Sequence, residues 1–223
     1  MIRYEMKTLP EVMVVMNFLI KQTALTKPKF FNNFIQKNPT QYNKSSKNFY
    51  QRFQRDFTIH ELLNIFKELG YHLEVHLRID NDSKLEKFLN SYYYTDFFDK
   101  ISMYVSIKDI SIEDISKSTG FSFPYVKKVF QYENPRTYKN GYNQIKCSIL
   151  DNFIYDLSYG HCTLLYYCYF SEDLYEKFKD YETSKNAAQV LTHFNALYEE
   201  KAKKYKERKK TTEIGGGEDE SIK

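Results

Sequence analysis

Two places in the chain bring together residues that do chemistry. His161 precedes Cys162, and an imidazole beside a thiol is the raw material of a metal site or an activated nucleophile. The run that follows, Thr163-Leu164-Leu165-Tyr166-Tyr167, is apolar, so a half-buried thiol is expected there instead. His72 and His76 flank Glu74 at alternate positions, which on a strand puts all three on one face. That set has metal-ligand types, but a solvated strand edge is the better reading and is the one expected. The sequence has no Walker loop, GxSxG, HExxH or zinc spacing. It is read as a non-enzyme, with no catalytic residue, no metal and no cofactor.

The stronger chemical signal is charge. From Val12 to Arg55 there is no Asp or Glu, whereas Lys21, Lys27, Lys29, Lys37, Lys44, Lys47, Arg52 and Arg55 are all basic. A solvated face normally mixes signs. A phosphate backbone favours this distribution, because each cation that displaces a condensed counterion adds affinity. Gln36, Gln41, Asn43, Asn48 and Gln51 accompany the charges, and their amides can bond adenine in the major groove. A second stretch, Ile115 to Lys146, holds Lys117, Lys127, Lys128, Arg136, Lys139 and Lys146 against Glu133 alone.

These residues sit in a chain of 223 with a net charge of +4, too small by itself to indicate a nucleic-acid partner. Hydrophobic residues at 42% exclude a disordered chain. With 7 Gly and 5 Pro, a many-stranded sandwich or a Gly-rich phosphate-binding enzyme is disfavoured, and helices are favoured. The aromatic content is all Tyr (21) and Phe (18), with no Trp. Together with abundant Lys, Asn and Ile it fits an AT-rich genome, a Gram-positive bacterium or one of its mobile elements. Cys147, Cys162 and Cys168 are odd in number and form no CxxC, and no signal-peptide pattern opens the chain. Reduced thiols in a cytoplasmic protein are expected. No apolar run approaches the roughly 20 residues of a membrane span.

In residues 1–80, Thr8 is expected to cap a helix with Pro10 and Glu11 in its first turn. Val12, Val15, Met16, Leu19 and Ile20 give it a buried face. Thr26 opens a second helix around Phe30, Phe31, Phe34 and Ile35, and Thr40 to about Phe53 a third. Thr58-Ile59-His60-Glu61 has the capping-box form, and its helix carries Ile59, Leu62, Leu63, Phe66 and Leu69 before stopping at Gly70. Tyr71, Leu73, Val75, Leu77 and Ile79 then alternate with polar residues, as a half-buried strand does.

Short helices that end in helix, Leu69-Gly70-Tyr71, strand resemble the phage-type Cro/CI (XRE-like) helix-turn-helix domain, with the match resting on Thr58 to Leu77. The turn Gln36-Lys37-Asn38-Pro39 lacks that family's small or glycine residue. The resemblance implies DNA contact by Lys27, Lys29, Gln41, Asn43, Lys44, Lys47, Asn48, Gln51, Arg52 and Arg55.

Residues 81–146 form a second expected unit. Leu85, Phe88, Leu89, Tyr92, Tyr93, Phe97 and Ile101 are read as one amphipathic helix. Ser111 caps the next, which runs to Gly120, and Ser122 caps another with Pro124 in its first turn. Ile112 to Gln131 resembles the helix-turn-helix pattern of twenty residues. Ile115 and small Ser116 take its early positions, Gly120 its turn, and Val126 and Val129 its late buried positions. A small residue lets the helices cross closely, and glycine supplies a positive φ. The resemblance places Phe123 to Gln131 in the major groove, exposing Ser122, Tyr125, Lys127, Lys128 and Gln131, with Arg136 and Lys139 beside them.

Residues 147–198 are expected to form a helical C-terminal segment, apolar and aromatic from Cys147 to Phe170. Its aromatic excess suits a homodimer interface or a pocket for a regulating partner, such as a protein inducer or anti-repressor, and suits an ordinary core equally. Residues 199–210 read as a solvated basic helix end able to touch phosphates, and 199–223 as a charged tail, disordered from Thr211 on. The whole is a mainly α, tandem helix-turn-helix protein that binds double-stranded DNA as a repressor of a prophage, pathogenicity island or plasmid. Two alternatives share these features: an accessory factor for excision, replication or transfer, and a protein-binding inhibitor on the same scaffold. An RNA-binding regulator is disfavoured, since no strand carries the paired aromatics of RNA-binding sheets.

Overall fold

The structure, a computed structural model, describes residues 1–37, 56–91, 97–130 and 145–215, without the side chains of Lys37, Phe98, Lys128 and 211–215. It is mainly helical, with one small three-stranded antiparallel sheet of order β1-β3-β2. The described elements are β1 (Ile2–Met6), α1 (Leu9–Gln22), α2 (Lys27–Lys37), α3 (Ile59–Glu68), β2 (Leu73–Ile79), α4 (Ser83–Leu89) and α5 (Phe97–Ile107). There follow α6 (Ile112–Thr119), α7 (Phe123–Phe130), α8 (Cys147–Leu157), β3 (Cys162–Phe170), α9 (Glu172–Glu182) and α10 (Lys185–Gly215). The expected third helix, Thr40 to Phe53, lies outside the described residues.

The chain divides into two compact units assembled from non-consecutive segments. Unit 1 comprises Met1–Glu74, Lys146–Ser148 and Leu165–Leu197, and unit 2 comprises Val75–Ile145, Ile149–Leu164 and Tyr198–Lys223.

Unit 1 is built on α1. Thr8 Oγ1 accepts from Glu11 N at 3.4 Å, which satisfies one orphan amide of the helix start, and Lys7 N, just before the cap, donates to the Glu11 carboxylate at 2.7 Å. Every residue from Leu9 to Ile20 except Glu11 is buried. The first part of the acid-free stretch, Val12 to Ile20, is therefore core, and its lack of carboxylates there follows from burial, not from a partner. Strand β1 pairs with β3 from Ile2 opposite Phe170 to Met6 opposite Tyr166. Phe178 meets Tyr4 at 4.9 Å, Phe18 at 5.2 Å and Phe170 at 5.4 Å between ring centres. At the other end of the unit, Cys147 N donates to Phe57 O at 2.7 Å and Ser148 Oγ donates to the Asp56 carboxylate.

Strand β3 corrects the expectation of an all-helical segment from Cys147 to Phe170. Helix α8 covers its first part, but the backbone turns left-handed at Tyr159 (φ +53°) and Gly160 (φ +85°) and then extends. The run Cys-Thr-Leu-Leu-Tyr-Tyr-Cys-Tyr-Phe is rich in types that favour strands. As the central strand of three it buries Cys162, Leu164, Tyr166, Cys168 and Phe170 on one face, while the other carries Leu165, Tyr167 and Tyr169, half-buried or buried. Apolar and aromatic types therefore fill both faces, and no period of two marks it in the sequence. The aromatic residues expected to form a dimer face, Phe153, Tyr166, Tyr167, Phe170, Phe178 and Phe194, are buried within the chain.

In unit 2, β2 is an edge strand whose free backbone groups are taken by side chains. Asn90 accepts from Leu77 N at 3.1 Å and donates to Leu77 O at 2.6 Å. Glu86 accepts from Ile79 N at 2.8 Å, and buried Lys100 donates to Val75 O at 2.9 Å. This use of Asn90 corrects the single helix expected from Leu85 to Ile101: α4 ends at Leu89, and Asn90 serves the strand edge. A second correction concerns the C-terminus. Residues 199–210 are helix, as expected, but helix α10 continues through Gly215, into the segment expected to be disordered from Thr211 on.

Candidate nucleic-acid interface

The site is built from α6 and α7, both in unit 2. Ser111 starts α6 as a reciprocal cap: its Oγ accepts from Asp114 N at 3.0 Å, while its own N donates to the Asp114 carboxylate at 3.3 Å. Ser111 Oγ also donates to that carboxylate at 2.6 Å, and these bonds hold the Asp114 carboxyl below its ordinary range. Helix α6 ends at Gly120, whose φ of +66° is the left-handed conformation the turn requires. The small residue at position 116 has a second role. Ser116 Oγ donates to Phe121 O at 2.6 Å and ties the turn back onto the helix.

Helix α7 follows after two residues. Val126 and Val129 are buried against the pair, as their spacing predicts, and so are Ile115 and Phe130. Ser122, Phe123, Pro124 and Lys127 are exposed, so the outward face of α7 is open at its start. Tyr125 differs from the expectation. It is half-buried, stacked on Phe121 at 4.6 Å with the rings 16° apart, and burial raises the pKa of its hydroxyl. The side chain of Lys128, and Gln131, Arg136 and Lys139 entirely, lie outside the described residues.

The C-terminal part of α10 covers the turn. A Cβ built on Gly120 would stand 2.9 Å from Lys209 Cα, so only glycine admits this approach. The Arg208 guanidinium lies 3.9 Å from the centre of the Phe121 ring, and Lys209 pairs with Asp156 of α8 at 3.0 Å. Buried Tyr205 faces the same carboxylate. Burial first, and then Asp156, raise its pKa. Sequence reading missed this docking. The signal for it was Tyr198, Ala202, Tyr205 and Lys209, a helical stripe written in Tyr and a Lys stem.

Of the first-unit candidates, Lys29 is exposed on α2, and Lys27 is half-buried, with burial and then Lys21 lowering its pKa. Lys21 itself sits 4.7 Å from the centre of the Tyr181 ring. Gln41, Asn43, Lys44, Lys47, Asn48, Gln51, Arg52 and Arg55 lie outside the described residues. Among the described residues, the candidates brought together at α7 are Ser122, Tyr125 and Lys127.

The sites of possible covalent or metal chemistry behave otherwise. Cys162 is buried in β3, where desolvation raises its pKa above the ordinary value for a thiol. Such a group stays protonated at neutral pH, the opposite of an activated nucleophile. Burial pushes Cys168 up to about 12. Among the described residues no three His, Cys, Asp or Glu are grouped to hold a metal ion. Glu74, flanked by the two histidines of β2, accepts from Tyr169 Oη at 3.1 Å. A cleft of about 470 Å³ in unit 2 is lined by Asp80, Asp82, Tyr104, Lys108, Tyr159 and His161, among others, and Lys108 and Asp82 in it neutralise each other at 3.2 Å. No helix among the described residues is long and apolar enough to cross a membrane. Comparison with protein families, curated proteins and solved structures found no match.

Proposed function

We propose that the protein is a sequence-specific DNA-binding transcriptional regulator, a repressor belonging to a mobile genetic element, that reads double-stranded DNA with α7. One observation carries the reading: α6 and α7 are joined through Gly120 at φ +66°, with Val126 and Val129 turned inward and Ser122 and Lys127 left exposed. That division of labour suits a helix whose first turns enter a major groove while its rear face is held by a partner helix. Lys127 would meet phosphate and fix register, and Ser122 would face base edges or backbone.

The aromatic residues that suggested a homodimer are mostly buried in the chain itself, so the reading rests on the α7 surface and not on a dimer. A cytoplasmic location and a protein inducer belong to the same proposal and follow from the repressor role alone.

The test is fluorescence anisotropy with the upstream intergenic duplex and a scrambled duplex across a salt series. Tight binding to the first only, with a steep salt slope, is the expected result. Lys127→Ala should lower the slope by about one unit, uniformly across sequences. Absence of salt-dependent binding to either duplex would remove DNA from the function and leave a protein partner as the reading to pursue.

A further inference from the structure

The ten residues 201–210 hold Lys201, Lys203, Lys204, Lys206, Arg208, Lys209 and Lys210 against one acid, Glu207. On α10 these charges are not equivalent. Tyr198, Ala202, Tyr205 and Lys209 recur at helical spacing and form the docked face, fixed by Gly120, Phe121 and Asp156. One flank of that face is neutralised or occupied: Lys204 pairs with Glu200 at 2.5 Å, and Arg208 lies over Phe121. On the other flank Lys203, Lys206 and Lys210 recur at i, i+3 and i+7, all exposed and without an ion pair among the described residues.

Three like charges on one stripe repel one another, and among the described residues no ion pair offsets that repulsion. Their place is set by the docking. Phe121, on which Arg208 sits, directly precedes Ser122 and the exposed start of α7. From Lys203 to Lys210 the stripe spans about 10 Å at 1.5 Å per residue, roughly three base-pair steps of backbone.

We propose that the C-terminal part of α10 is a second DNA-contacting element, held beside α7 by Gly120 and Phe121, whose Lys203, Lys206 and Lys210 grip backbone phosphates next to the groove that α7 enters. This rests on the DNA-binding reading above. The contacts are sequence-independent: they add affinity and salt dependence, and leave base discrimination to α7.

The experiment repeats the salt series with the full chain carrying Lys203→Ala, Lys206→Ala and Lys210→Ala together. If all three meet phosphate, the slope falls by up to about 2.7 units, from 0.9 per phosphate. Affinity for specific and scrambled duplexes should fall by the same factor, with the circular dichroism spectrum unchanged. A control variant, Lys177→Ala with Lys185→Ala, removes two exposed charges elsewhere and should keep the wild-type slope.

The outcomes separate cleanly. If the wild type shows no salt-dependent binding, the DNA reading fails and this inference with it. If the wild type binds and the triple variant keeps its slope, only the inference fails. An equal loss per charge in the control, or a loss confined to the specific duplex, also overturns it, since net charge or base readout would then explain the effect.

Discussion

Helix α3 begins at Thr58 with a reciprocal Thr58–Glu61 cap and is followed by Gly70 at φ +83°; helix α6 begins at Ser111 with the same device and ends on Gly120 at φ +66°. The two helices differ in what covers them. Helix α3 buries Ile59, Leu62, Ile65 and Phe66 completely and leads into an extended strand, and a Cβ added at Gly70 would meet nothing within 4 Å. Helix α6 buries only Ile115 and Thr119, doubles back into α7, and has its terminal glycine pressed against α10. Caps and glycines thus decide where a helix starts and stops, while the partner it meets decides whether its end is a spacer or a site. A helix sunk in a core has little surface left to offer DNA. One that is shallowly held, with an exposed second helix after it, does.

The largest expected effect tests the buried side of this contrast. Phe66→Ala should cost about 3–5 kcal/mol, the range for emptying a fully buried aromatic position. Urea denaturation would measure it, and a loss under 1 kcal/mol would show that α3 is not the anchored helix described here. If the protein binds DNA as proposed, the affinity of the molecules that remain folded should be unchanged.

The two glycines sharpen the comparison. Gly70→Ala meets only the left-handed backbone penalty, about 1 kcal/mol. Gly120→Ala meets that penalty and a clash with the Lys209 backbone, which has no flexible end to swing away, so about 2–3 kcal/mol is expected. Gly120→Ala should also speed amide exchange along residues 199–210 of α10, and Gly70→Ala should not. Equal costs in urea, with equal exchange, would mean that α10 is not seated on the turn.

The caps and the glycines were legible in the sequence because each is a local rule acting over four residues or fewer, and the buried valines of α7 because they fall in one contiguous pattern of twenty. The departures share a cause, which is that distant contacts decided them. Central placement hides the alternation of β3, and Asn90 breaks a promising helix because Leu77 needs a partner at the strand edge. The end of α10 reads as a charged tail because its buried stripe is made of Tyr and the stem of Lys209. Of the candidate site, Ser122 and Lys127 were found from pattern alone. Tyr125 was misjudged because the Phe121 ring that shelters it belongs to the turn, and the lysines of 199–210 could not be sorted from one another because that depends on where α10 docks.

The smallest effect probes the α6 cap through pH. Asp114 is half-buried, and its carboxyl is held below the ordinary value by hydrogen bonds from Ser111. A carboxylate with a depressed folded pKa lends stability above its unfolded pKa, and that contribution fades as pH falls through the folded value. Asp114 therefore contributes from about pH 4 upward and nothing in strong acid. Asp114→Asn should lower Tm slightly at pH 7 and converge with the wild type in strong acid, once the carboxyl is protonated. The difference between the two Tm curves isolates this residue from Asp82 and Glu200, whose carboxyls are also depressed. If the curves stay parallel to the acid limit, the ionised Asp114 is not part of the cap, and the likeness between the starts of α3 and α6 is one of sequence only.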